Sequence, residues 1–95
     1  MAYIAAMDQR GDSKDLLGRY DKIAKVVQAG GPQPGQIAHY CLETDYGIRV
    51  VNLYETEEQL RAAYDRPEFR RALEEGGVEY NEPTIWRVHN YRHFQ

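Results

Sequence analysis

Residues 36–59 read QIAHYCLETDYGIRVVNLYETEEQ, and this stretch decides the fold. Ile37–Glu43 and Ile48–Tyr54 are rich in β-branched and aromatic residues at ordinary strand length. Between them lies Asp45-Tyr46-Gly47, a short loop that suits a hairpin with its glycine in the left-handed region. Thr56 can then accept from the first free N–H groups of a helix, and Gln59 stands where it can reach back to the Thr56 N–H. That pairing is a capping box, and Glu57 and Glu58 favour the positive end of the helix dipole. The stretch is strand, turn, strand, helix start.

The flanks complete the pattern. Ala2–Met7 is an apolar run that predicts a first strand. Asp12 or Ser13 can cap the helix that follows. Leu16, Leu17, Tyr20, Ile23, Ala24 and Val27 fall at steps of three and four, a stripe along one helical face. Gly30-Gly31-Pro32 ends that helix. After Thr56, Leu60, Ala63 and Tyr64 share a face, and Phe69, Ala72 and Leu73 form a second set out of phase with the first. The slip falls at Asp65-Arg66-Pro67-Glu68, which predicts two helical pieces, the second capped by Asp65 with Pro67 in its first turn. Gly76-Gly77 closes it, and Thr84–Asn90 predicts the last strand. The order β-α-β-β-α-β is the split arrangement of ferredoxin-like α+β folds, a four-stranded antiparallel sheet with helices on one face.

Length and composition bound the possibilities. Ninety-five residues are expected to make one domain, 1–95. A chain this short buries only roughly 60–65% of its unfolded surface, so association would help it. Twelve basic against fifteen acidic residues leave a net charge of −3 with no basic block, which argues against nucleic acid and anionic membrane as partners. The chain has one cysteine, Cys41, which suits a reducing cytoplasm. It carries no apolar run long enough for a transmembrane helix and no basic start of a signal peptide. Alternation along the second and third strands leaves neither sheet face cleanly polar. Helices cover one face, so a second copy is expected to cover the other, giving a homodimer related by a two-fold axis.

Residues 49–73, RVVNLYETEEQLRAAYDRPEFRRAL, resemble the dimeric α+β barrel proteins grouped with the antibiotic-biosynthesis monooxygenases. The matching features are Tyr54-Glu55-Thr56-Glu57-Glu58, an aromatic strand end followed by an acidic helix start, and Arg66-Pro67-Glu68-Phe69, a proline break followed by an aromatic. The resemblance implies a dimeric barrel and a small protein without cofactor, metal or flavin. It implies oxygenation or cyclisation of an aromatic or polyketide-type compound. The same fold also serves a non-catalytic ligand-binding, accessory or structural dimer, which is the alternative. Several family positions differ. Val50, Tyr54 and Leu60 fall near the places where phenol-oxidising members carry Asn, Trp and Tyr, so Asn52 and Trp86 would substitute from other positions. Haem-degrading relatives use a histidine on the second helix; residues 57–75 contain none, and haem is not expected. The His-Pro-x-His run of related cyclases is here Arg66-Pro67-Glu68-Phe69.

Within that frame the expected catalytic residues are His39 as base, Tyr40 and Asn52 as hydrogen-bonding orienters and Trp86 as a stacking wall. Tyr54, Tyr64 and His89 are expected to bind substrate. Each has a plainer alternative. His39 could be an interface or buried histidine with one partner, His89 a sheet-edge residue, and the aromatics simply core. His93, in the tail, is expected to be solvated. His89 and His93 lie about 13 Å apart in extended chain, too far for one ion, and no ligand cluster predicts a metal. Cys41 and His39 would stand about 7 Å apart along one strand face, long for a thiolate pair. Arg49 and Arg87 suit a carboxylate or a cross-strand ion pair.

Overall fold

The computed structural model describes residues 1–92 and residue 94; the tail histidine His93 lies outside them. The elements are β1 (Tyr3–Arg10), α1 (Ser13–Val27), β2 (Gln36–Glu43), β3 (Gly47–Tyr54), α2 (Glu57–Tyr64), α3 (Pro67–Glu75) and β4 (Thr84–Arg87). The strands form one antiparallel sheet in the order β2-β3-β1-β4, the ferredoxin-like arrangement. Among the described residues no helix is long and apolar enough to cross a membrane.

Local chemistry explains the boundaries. Asp12 caps α1 by accepting from the Asp15 N–H at 2.9 Å. Thr56 caps α2 through Gln59 N–H at 3.1 Å. The return half of the expected box differs, because the Thr56 hydroxyl donates to Gln59 Oε1 at 3.0 Å instead. Asp65 does not cap α3. It is the C-cap of α2, and α3 starts on Arg66 with no side-chain cap. Proline at the first helical position tolerates that start, since its missing N–H would have had no partner there anyway. Gly47 has φ 149°, and a Cβ at that position would collide with the Gln9 carbonyl oxygen of β1. The glycine thus lets the hairpin lie close against its neighbour.

Two strands differ in length from expectation. Strand β1 runs on to Arg10 because β3 pairs with it down to Gly47. Strand β4 stops at Arg87 rather than Asn90. Its partner is the start of β1, where Tyr3 pairs with Arg87, and beyond it only the Val88 N–H finds the Ala2 carbonyl, at 2.8 Å. His89 therefore leaves the sheet and is exposed.

Period-two alternation gives the sheet two faces. Ala5, Met7, Ile48 and Tyr54 face the helices and are buried there with Leu60, Tyr64, Ala72, Leu73 and Ile23. Phe69 packs against both core clusters and joins α2 to α3, its ring meeting the Tyr64 ring edge-on at 5.5 Å. The opposite face carries Ile4, Ala6, Tyr40, Leu42, Val51, Leu53 and Trp86, as their cross-strand pairings require. At one end of that face the Arg49 guanidinium binds both Asp8 carboxylate oxygens, at 2.8 and 3.0 Å, while the Tyr46 hydroxyl donates to the same carboxylate at 2.6 Å. The cross-strand ion pair is thus the role Arg49 takes.

Those donors hold the Asp8 carboxyl down at about 2, Arg49 first and Tyr46 second. A carboxyl depressed in the folded state stabilises above its unfolded value and loses that contribution as pH falls through the folded value. Asp8→Asn should therefore lower the unfolding free energy measured in urea at neutral pH, by no more than about 1 kcal/mol for a solvated pair. The gap to wild type should close between 3.8 and about 2. A gap that stays constant down to acid pH would contradict this account.

Candidate functional site

Between the helix-facing side of the sheet and α1 lies a cavity of about 120 Å³, partly open to solvent. That is comparable with the roughly 150 Å³ engineered apolar cavity that takes up benzene. Its wall is mainly apolar, with Met7, Ile23, Val27, Ile48, Val50 and Phe69 prominent. Into this wall the fold sets a connected row of polar groups.

Asn52, on β3, is the hub of the row. Its Oδ1 accepts from Gln36 Nε2 at 3.1 Å and lies 2.7 Å from His39 Nδ1. Its Nδ2 donates to the Tyr64 hydroxyl at 2.9 Å. His39 continues the row, with Nε2 in a short contact to the Tyr20 hydroxyl of α1. The Tyr20 and His39 rings lie nearly parallel, 10° apart in plane, at 5.9 Å. Register explains the meeting: His39 is directly opposite Asn52 in the β2–β3 ladder, and a bulge between Gln36 and Ala38 turns Gln36 to the same side.

The phenols stay protonated at neutral pH. Burial raises Tyr54, at the floor of the cavity, to about 12, with the neighbouring Tyr64 adding to it. Burial also raises Tyr64, and the hydrogen bond from Asn52 partly offsets the effect. Tyr20 is raised mainly by burial, and the Gln28 side chain on its hydroxyl acts in the other direction. Burial, then the Asp21 charge, pushes the Cys41 thiol up, so it is not an activated nucleophile. The site offers neutral hydroxyls, two amides and an imidazole around an apolar hole.

Of the expected residues, His39, Asn52, Tyr54 and Tyr64 come together on the cavity wall. Tyr40 and Trp86 do not; they project from the opposite sheet face and are 56% and 51% exposed. Tyr40 follows His39 directly, so alternation sends the two side chains to opposite faces. Trp86 pairs with Ile4 on that same outer face. His89 lies past the end of β4, away from the cavity lining. Tyr20 and Gln36 are the residues that sequence reasoning passed over. Tyr20 sits in the apolar stripe of α1, where only the need of a half-buried hydroxyl for a partner marks it as different. Among the described residues no three potential ligands lie close enough to hold a metal ion.

Similar solved structures share this architecture. The structure superposes on SnoaB, a cofactor-independent oxygenase from Streptomyces nogalater, with a TM-score of 0.63 at 14% identity, covering 95% of this chain and 93% of that one. A candidate antibiotic-biosynthesis monooxygenase from Deinococcus radiodurans gives 0.68 at 11% identity over 100% and 99% of the two chains. Another from Caulobacter crescentus gives 0.60 at 17% identity over 96% and 89%. The chain has the fold of the antibiotic-biosynthesis monooxygenase-like structures. No protein-family model and no curated protein sequence matches it.

Because Asn52 satisfies three partners at once, Asn52→Leu should destabilise the protein by about 1–3 kcal/mol or more for the polar groups it strands. Tyr20→Phe removes one hydrogen bond and should cost about 0.5–1.5 kcal/mol. Urea denaturation of the two variants checks the order, and a smaller loss in Asn52→Leu would contradict the hub.

Proposed function

We propose that the protein is a small cofactor-independent oxygenase acting on a phenolic aromatic compound, with His39 as the base. The observation that carries this reading is the imidazole joined through Tyr20 to an apolar cavity. An apolar site disfavours a free phenolate, so a base placed there has to take the proton as the substrate reacts. The substrate O–H gives its proton to Tyr20 Oη while the Tyr20 hydrogen passes to His39 Nε2. Tyr20 ends neutral, His39 becomes imidazolium, and the substrate becomes the electron-rich anion. That anion reduces dioxygen directly. In an anthrone, for example, a ring CH2 becomes C=O, one oxygen atom stays in the product and the other leaves as water. All four electrons balance without a cofactor. Tyr64 and Asn52 orient the ring, and Tyr54 closes the floor. The fold shared with SnoaB supports the class of reaction, and the cavity size favours one ring held inside with the remainder at the mouth.

A second reading has its own support. The Tyr20 hydroxyl occupies His39 Nε2, which closes the base off and suits a protein that binds its ligand without converting it. Oxygen uptake with hydroxynaphthalenes and hydroxyanthrones separates the two. The oxygenase reading expects turnover that falls roughly 10²–10⁴-fold in folded His39→Ala. Tight binding without oxygen uptake selects the binder, and unchanged turnover in the variant removes the base.

We also propose a cytoplasmic homodimer. The outer sheet face, with Tyr40, Leu42 and Trp86 exposed beside Ala6 and Leu53, is the apolar surface a second copy would cover. Sedimentation should give twice the 11.0 kDa chain mass, and Trp86→Asp should shift it toward monomer. A wild-type monomer at micromolar concentration would overturn this.

A further inference from the structure

Hydrogen-bond direction can be deduced across the whole site from one group that has no choice. The Gln33 backbone N–H can only donate, and it meets Gln36 Oε1 at 3.0 Å. The amide end of Gln36 facing Asn52 is therefore the NH2, which has no lone pair to accept with. Asn52 must present its oxygen to Gln36. That same oxygen faces His39 Nδ1, so Nδ1 carries the imidazole hydrogen. The other end of Asn52 must donate to the Tyr64 hydroxyl. With its hydrogen on Nδ1, a neutral His39 holds its lone pair at Nε2, and Tyr20 must donate there.

The two ends of the row therefore differ. Tyr20 has spent its hydrogen and has oxygen lone pairs to offer. Tyr64 has accepted from Asn52 and keeps its own hydrogen to donate. Both residues line the cavity. We propose that Gln36 is a positioning residue that sets this direction, and that the resulting site selects a hydroxyaryl carbonyl compound. The ligand's phenolic O–H would donate to Tyr20 Oη, and its carbonyl oxygen would accept from Tyr64. This rests on the cavity being the ligand site, as in the reading above, but not on turnover.

Gln36→Glu is the deciding variant. One oxygen of the introduced carboxylate can still accept from the Gln33 N–H. The other can only accept from Asn52, which must then turn its NH2 toward it and toward His39. The imidazole hydrogen is driven to Nε2, and every bond in the row reverses. Nitrogen-15 NMR of labelled histidine at roughly pH 8, where a histidine is mostly neutral, reads this directly. His39 is assigned by the signal lost in His39→Ala. Wild type should show the hydrogen on Nδ1, against the Nε2 preference of free imidazole, and folded Gln36→Glu should show it on Nε2. Should that variant fail to fold, Gln36→Met, which leaves Asn52 undirected, should show a mixture. Hydrogen on Nε2 in wild type, or a tautomer unchanged in every folded Gln36 variant, overturns the positioning role.

The ligand class is tested with three probes followed by the shifts they cause at Tyr20 and Tyr64. 4-Hydroxyacetophenone should bind about tenfold or more tightly than 4-methoxyacetophenone, which lacks the donor, or 4-ethylphenol, which lacks the acceptor. Equal binding of the three, or binding of none, overturns the ligand class and leaves the tautomer result intact. Neither readout uses oxygen uptake, so failure of the oxygenase reading is distinguishable from failure here.

Discussion

A half-buried amide set into an apolar wall still needs partners, and in this protein that requirement falls on Asn52. It stands between half-buried Val50 and core Tyr54 on the helix-facing side of β3. A fully buried polar group left unpaired costs about 1–3 kcal/mol, which is the upper bound at this half-buried position. Its partners come from three different elements: Gln36 and His39 from β2 and Tyr64 from α2. Tyr20 then ties α1 to the same row through His39. The polar row thus couples the positions of α1 and α2 to the sheet, as well as lining the cavity. The cavity lining and the ties between elements therefore rest on the same side chains.

The cavity exists because the helices do not close fully over the sheet. Helices α2 and α3 meet β1 and β3 through Leu60, Tyr64 and Phe69, which pack into the main core cluster. Over β2 and the far part of β3 the cover is α1 alone, which sends Leu16, Tyr20, Ile23 and Val27 toward the gap. A 95-residue chain has few large side chains to spare, and its aromatics serve both as walls and as core. Tyr64 shows the combination: its ring packs on Phe69 while its hydroxyl meets Asn52.

Alternation along the strands sorts the remaining aromatics. Tyr40 and Trp86 share the outer face with aliphatic neighbours, next to the Asp8–Arg49 pair. Composition alone makes them look like pocket residues, since aromatic content is high. Their parity within the strands assigns them to the other surface. His39 and Tyr40 are adjacent in β2, so a period of two sends their side chains to opposite faces.

Element types and order were determined by the sequence itself: the hairpin at Gly47, the Thr56 cap and the proline break all act over a few residues, and local sterics and capping suffice to specify them. Phase within a strand was readable too, and it sets Asn52 and Tyr54 on one side of β3 and separates His39 from Tyr40 on β2. The length of β4 could not be read, because a strand lasts only as long as its neighbour pairs with it. Nor could the role of Tyr20 or Gln36. Tyr20 is nineteen residues from His39 in the chain, and Gln36 turns inward only through a bulge set by pairing with β3. Contacts of that kind depend on how α1 lies across the sheet, and only the packed tertiary structure decides where a hydroxyl on one element meets an imidazole on another.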